Sequence, residues 1–131
     1  MEVKLEVRTD YVLATLAGPL SVPTIHQAMR EAVDAAANAG LHLILWDWLG
    51  VEGMPSTQQR LELGESGSAY ALTKRWKQPP RVAIVGSFPR INGLAAAVAS
   101  NGGINARTFQ DEQQALAWLG IRPVVKSRTQ I

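Results

Sequence analysis

The sequence contains no cysteine. That excludes disulfides, thiol nucleophiles and thiolate metal sites. Histidine is nearly absent, with only His26 and His42. Neither has a partner at ligand spacing, so no metal site is expected and each imidazole is read as a surface or edge group. No apolar run approaches the ~18 residues of a membrane span. Met1-Glu2-Val3-Lys4 has no basic region followed by an apolar core, so no signal peptide is expected and the chain is read as cytoplasmic. Charge of one sign is also lacking. Thirteen basic and 11 acidic residues leave a formal charge of +2, too small an excess to imply nucleic acid. Dinucleotide and phosphate-loop glycine signatures do not occur, nor does a Gly-x-Ser-x-Gly elbow. Ser87, in Gly86-Ser87-Phe88-Pro89, stands between a strand and a helix but lacks the second glycine, and Pro89 reads as a helix starter.

What is present is a globular composition. The 131 residues are 47% hydrophobic and 18% charged. A chain this long fits one domain and should bury roughly two thirds of its unfolded surface. Val3, Leu5 and Val7 alternate with Glu2, Lys4, Glu6 and Arg8, which predicts a strand with one wet face. Tyr11 to Ala17 predicts a second strand, pairing with the first as an antiparallel hairpin. Ser21 to Gly40 predicts a helix, with Pro23 in the first turn, a stripe of Ile25, Met29, Ala32, Val33 and Ala36, and Gly40 at its end. Leu41 to Leu49 is apolar almost throughout, as a central parallel strand should be. Val51 to Pro55 reads as a loop.

Ser56 with Gln59 forms a capping box that opens the next helix. Gly64, Gly67 and Ser68 interrupt its apolar side, so it is expected to be kinked, split, or packed unusually close to the sheet. Arg81 to Gly86 predicts a strand, Pro89 to Ser100 an Ala-rich helix, Ile104 to Phe109 the last strand, and Asp111 with Gln114 a second capping box that opens a short helix to Leu119. Residues 121–131, with Arg122, Lys126 and Arg128, read as a partly mobile tail. The order β-β-α-β-α-β-α-β-α implies an α/β fold with a mixed sheet and helices mainly on one face.

Three groups of residues are functional candidates. Trp46 and Trp48 share a strand face and read either as core or as the aromatic wall of a pocket. Ser56 reads as an N-cap or as a hydroxyl placed where a phosphate is favoured. Lys74, Arg75, Lys77 and Arg81, interleaved with Trp76, read as a solvated helix end or as a basic surface.

With those residues in hand, the chain resembles the SpoIIAA-like branch of the STAS (sulfate transporter and anti-sigma factor antagonist) superfamily. The likeness rests on Leu43-Ile44-Leu45-Trp46-Asp47 with Met54-Pro55-Ser56-Thr57, on Arg81-Val82-Ala83-Ile84-Val85-Gly86, and on the stretch from Ala106 to Gly120. It covers about residue 3 to 120. The resemblance implies a STAS-like domain over 1–120, a sheet of about five strands, no cofactor and no enzymatic activity. It also implies regulation through a protein partner. The family's phosphorylated serine matches Ser56, although the flanking Asp, Ser and Gly are here Pro55, Thr57 and Gln58. An interaction loop is expected over Glu52, Gly53, Met54, Pro55 and Thr57. The Gly-broken middle helix and Trp-rich strand are more similar to STAS-like proteins grouped with lipid-exchange (CRAL-TRIO) domains. The alternative role is therefore carriage or sensing of an apolar small molecule beside Trp46, Trp48, Gly64, Gly67 and Ser68. Leu41, Leu43 and Leu45 point to one side of the central strand, and Ile44, Trp46 and Trp48 to the other. With helices on one face only, the second set would lie open, so a homodimer is expected unless Trp118 or the Val124-Val125 tail folds over it.

Overall fold

A computed structural model describes residues 1–122; of the tail expected from Ile121 onward only Ile121 and Arg122 are described, and the rest, with Val124, Val125, Lys126 and Arg128, lies outside the described residues. The alternating N-terminus forms β1 (Glu2–Val7), which pairs antiparallel with β2 (Val12–Pro19), Leu5 lying opposite Ala14. Val3 and Leu5 pack against the main core. Val7, last in this edge strand, is 57% exposed, so the apolar stripe stops one residue short of its sequence pattern.

Helix α1 (Val22–Ala39) has Pro23 in its first turn and ends at Gly40, whose φ of 71° is the left-handed conformation glycine adopts freely. Its buried stripe is Ile25, Ala28, Ala32, Val33 and Ala36, with Met29 at its margin. Strand β3 (Leu43–Glu52) runs further than its apolar run suggests. Gly18 and Pro19 continue β2 and pair with Val51 and Glu52, after a register shift between Thr15 and Ala17. The expected loop at Val51 therefore starts at Gly53.

Helix α2 (Thr57–Ala71) is one uninterrupted helix, neither kinked nor split. Then follow β4 (Arg81–Val85), α3 (Leu94–Asn101), β5 (Asn105–Phe109) and α4 (Glu112–Leu119). Helix α3 begins five residues after Pro89. The intervening residues form a turn with a cis Phe88–Pro89 bond. Asn92 accepts a hydrogen bond from Leu94 N (3.1 Å) and Gly93 takes φ 86°, so this pair rather than Pro89 starts the helix.

The five strands lie in sequence order, β1 antiparallel and the rest parallel. Register decides the faces. Leu5, Ala14, Trp46 and Ile84 form one row across the sheet, and Glu6, Leu13, Leu45 and Ala83 the adjacent row on the other side. The first face lies under α1 and α2, and α3 packs beside α2. The second is covered by α4, whose Ala115 and Leu119 bury Leu13, Leu43, Leu45, Ala83 and Val85. Ile44, Trp46 and Trp48 are thus interior, Leu43 and Leu45 of the opposite set are closed by the terminal helix, and Leu41, expected with them, packs instead against the first core. The surface that motivated a homodimer is covered within the chain.

The basic cluster is drawn apart. Lys74 pairs with Asp34 at 2.8 Å and sits over the Tyr70 ring, while Arg81 stacks on Trp118 (4.4 Å) and donates to its carbonyl. Hydrogen bonds from Lys74, then from Tyr70 (2.7 Å), hold the Asp34 carboxyl below the usual range; Asp34 in turn raises Lys74. A depressed carboxyl contributes stability above its unfolded pKa and loses it as pH falls through the folded value. Asp34→Asn should therefore flatten part of the acid-side decline in urea midpoint. The change should be small, because the two side chains are 31% and 41% exposed.

Candidate functional site

Strand order without reversal leaves no crevice between diverging helices at the strand ends, the usual ligand position in doubly wound sheets. Two other features stand out on the α1–α3 side.

The first is a pair of loops at the carboxyl ends of β3 and β4. In the β3–α2 loop, Gly53 (φ 103°) turns the chain against Leu20, and Ser56 caps α2. Ser56 Oγ accepts from Gln59 N (3.1 Å), and Gln59 Oε1 accepts from Ser56 N (2.8 Å). Glu52, Gly53, Met54, Ser56 and Thr57 are exposed, whereas Pro55 is buried and faces the interior. The β4–α3 loop is tied to this one by two arginines. Arg60 Nη2 reaches the carbonyls of Pro89 (2.9 Å) and Arg90 (3.1 Å) and the Met54 sulfur (3.2 Å). Arg90 Nε donates to Gly53 O at 2.5 Å. The braced loops present Met54, 51% exposed, and Phe88, 67% exposed. Neither arginine was singled out from the sequence, because the carbonyls they hold lie about thirty or more residues away and leave no side-chain signal.

The local cap has a measurable consequence. Ser56→Ala should lower stability by about 1 kcal/mol, while Ser56→Asp, an equally good cap, should leave it nearly unchanged. Thermal unfolding of the two variants separates them.

The second feature is a cavity of about 110 Å³ between α2 and the sheet. Its floor is Ile44, Trp46, Trp48, Val82 and Ile84. Its roof is the inward side of α2: Leu63, Gly64, Gly67, Ser68 and Ala71. Helix α2 leans on α1 and α3 rather than on the sheet. Its glycines make that possible. A Cβ at Gly64 would lie 2.5 Å from Ala95 O of α3, and one at Gly67 would lie 2.6 Å from Met29 Sδ of α1. The close approach expected of this helix is therefore to its neighbouring helices and not to the sheet. The five residues expected around an apolar ligand, Trp46, Trp48, Gly64, Gly67 and Ser68, all line this one space.

Among the described residues the remaining reactive side chains do not assemble. Ser87 is exposed on its loop. His26 Nδ1 shares a 3.1 Å hydrogen bond with Ser66 Oγ across α1 and α2, and Ser66 donates to Glu62 O (2.7 Å). Among the described residues, no three potential metal ligands cluster.

No protein-family model matches the sequence, and no curated protein matches it. Solved structures do. An anti-sigma factor antagonist from Mycobacterium paratuberculosis superposes with a TM-score of 0.60 at 15% identity, over 91% of this chain and 93% of its own. An uncharacterised DUF3478-family protein with a SpoIIAA-like fold, from Shewanella loihica, is 26% identical over 90% of this chain and 92% of its own, with a TM-score of 0.50. The anti-sigma factor antagonist SpoIIAA in its unphosphorylated form is 18% identical over 93% of this chain and all of its own, with a TM-score of 0.51.

Proposed function

We propose that this chain, a STAS-type domain of the SpoIIAA-like fold, is a non-enzymatic regulatory module that binds another protein through the paired loops at the ends of β3 and β4. The observation that carries the reading is the exposure of Met54 and Phe88 on loops that Arg60 and Arg90 hold in one arrangement. Pre-formed apolar contacts lose little entropy on binding. Neighbours named as anti-sigma factor antagonists support a regulatory role. Residues 1–120 form the domain in this reading, and it acts in the cytoplasm. Ser56, exposed beside Met54, is the candidate phospho-acceptor. A phosphate there adds ~1.5–2 negative charges at a helix N-terminus, which tolerates them, and alters the surface a partner meets.

The test is affinity capture from the native host with the wild-type chain and a Met54→Asp/Phe88→Ser variant. A stoichiometric partner should be retained by the first and weakened at least about tenfold with the second, since each apolar side chain buried in an interface contributes ~1.5–3 kcal/mol. A partner held equally by both would refute the loop surface. Ser56→Asp, which keeps the cap, should reduce binding if phosphate is the switch.

A second reading has its own observation. The apolar cavity under α2 supports binding of a small apolar molecule.

A further inference from the structure

The two edges of the sheet differ. At one, β5 is closed by the end of α3: Ser100 Oγ donates to Ala106 O (3.1 Å) and accepts from Ala106 N (3.3 Å), and Ile104 N donates to Ala99 O (3.0 Å). At the other, β1 pairs with β2 alone, and among the described residues no strand lies on its outer side. An edge strand offers a row of unpaired N–H and C=O groups to any other strand, and a bulge or a proline commonly blunts it. Strand β1 has neither, and its register runs unbroken from Glu2 opposite Ala17 to Val7 opposite Val12.

Alternation decides which groups face outward. Arg8 N donates inward to Tyr11 O (2.8 Å). In an antiparallel pair every second residue exchanges backbone bonds with its partner, so Glu6, Lys4 and Glu2 are bonded to β2 in the same way. Val3, Leu5 and Val7 therefore turn their N–H and C=O groups to the free edge. Their side chains lie on the α1 face, where Val3 and Leu5 are only partly buried and Val7 is 57% exposed. Glu2, Lys4, Glu6 and Arg8 supply alternating charge on the opposite face.

A second copy fits this edge in one register. Two β1 strands related by a two-fold axis pair antiparallel. An axis at Leu5 sets Leu5 opposite Leu5 of the other copy, Val3 opposite Val7, Lys4 opposite Glu6 and Glu2 opposite Arg8. Apolar side chains then meet apolar ones, and every charge meets its opposite. An axis one residue earlier would set Lys4 opposite Lys4 and Glu2 opposite Glu6. One residue later, Glu6 would face Glu6 and Lys4 would face Arg8. Both alternatives place like charges directly across the strands, which is destabilising. An edge lysine is a common guard against strand pairing, but here Glu6, two residues on, supplies its complement.

We infer that β1 pairs with β1 of a second copy about a two-fold axis at Leu5, joining the two sheets into one. This interface is separate from the sheet face closed by α4, and it is independent of the loop and cavity readings.

A single strand pair belongs with transient contacts, below ~1,200 Å² in total. The chain is therefore expected as a monomer at micromolar concentration and as a dimer at about 0.1–1 mM. Sedimentation of the full chain across that range reads the equilibrium. Lys4→Glu and Glu6→Lys should each weaken the dimer at least about tenfold, because each turns two unlike cross-strand pairs into like ones. Both positions carry only surface ion pairs, so the variants should keep the fold. Mixed in equal amounts, the two variants should pair again, since one copy then presents only negative charge at these positions and the other only positive. The register has its own readout. The chain has no cysteine, so a mixture of Lys4→Cys and Glu6→Cys copies under oxidation should form the mixed disulfide in preference to either self-pair, their Cα atoms lying ~4.5 Å apart in a non-hydrogen-bonded pair. A wild-type chain that stays monomeric at about 1 mM overturns the proposal. So does a dimer that both charge reversals leave intact, or a loss that mixing does not restore.

Discussion

Gly64→Ala is expected to destabilise the protein by about 2 kcal/mol, even though alanine is the better helix former by ~1 kcal/mol. The added Cβ would stand 2.5 Å from the Ala95 carbonyl oxygen and 2.7 Å from Val98 Cβ. A backbone carbonyl inside α3 cannot yield alone, so α2 and α3 must separate, and overpacking of this kind costs ~3 kcal/mol at the severe end. Gly64→Val should cost still more. Gly67→Ala, one turn on, meets only the Met29 sulfur at 2.6 Å. That is the flexible end of a side chain, so the variant should be neutral or stabilised by up to ~1 kcal/mol. Urea unfolding of the pair at constant m-value provides the comparison. A stabilised Gly64→Ala would mean that the two helices do not meet at backbone distance in solution.

Leu119→Asp should be at least as damaging, by about 3 kcal/mol or more. Leu119 is 3% exposed and, with the fully buried Ala115, covers Leu45 and Val85. Truncating such a leucine costs ~2–5 kcal/mol, and a carboxylate against an apolar sheet adds a desolvation penalty. Detachment of α4 would expose the sheet face it covers. The variant should therefore bind a hydrophobic dye and sediment as larger species at micromolar concentration, while the wild-type chain does neither. Dye binding unchanged by Leu119→Asp would show that α4 is not the cover.

The features legible in the sequence are those encoded over a few residues. Ser56 with Gln59 as a capping box and Gly40 closing α1 are encoded over three or four residues, and both are present; of the second box expected at Asp111 and Gln114 only one half forms, Asp111 accepting from Gln114 N at 2.8 Å. The hairpin and the strand order follow from periodicity and connection lengths. What stayed hidden depends on distant partners. Trp46 cannot be given a face until Ala14 and Leu5 are aligned beside it, which is why Trp46 and Trp48 read as core, as a pocket wall or, with helices on one face only, as part of an open surface; they are core and line the cavity. The end of β3 is set by Gly18 and Pro19 more than thirty residues earlier. The delayed start of α3 did have a signal: Asn92-Gly93 is a turn dipeptide, and it outweighed Pro89. In the candidate site the small residues of α2 were readable as small. Which elements they would approach was not, because Ala95 and Met29 are brought to them only by tertiary packing.

Arg60 belongs to both regions described above. Its Nη2 fixes the loop that carries Phe88, and the same side chain forms part of the cavity wall. A guanidinium is a rigid plane, so one end cannot turn without moving the other. Occupancy of the cavity and engagement of the loops would therefore share a thermodynamic cycle. Whatever factor a bound apolar molecule applied to the affinity for a partner, the partner would apply to the affinity for that molecule. The protein-binding and ligand-binding readings then become input and output of one switch, with the sign of the coupling set by whether a molecule in the cavity tightens or loosens the hold of Nη2 on Pro89 and Arg90.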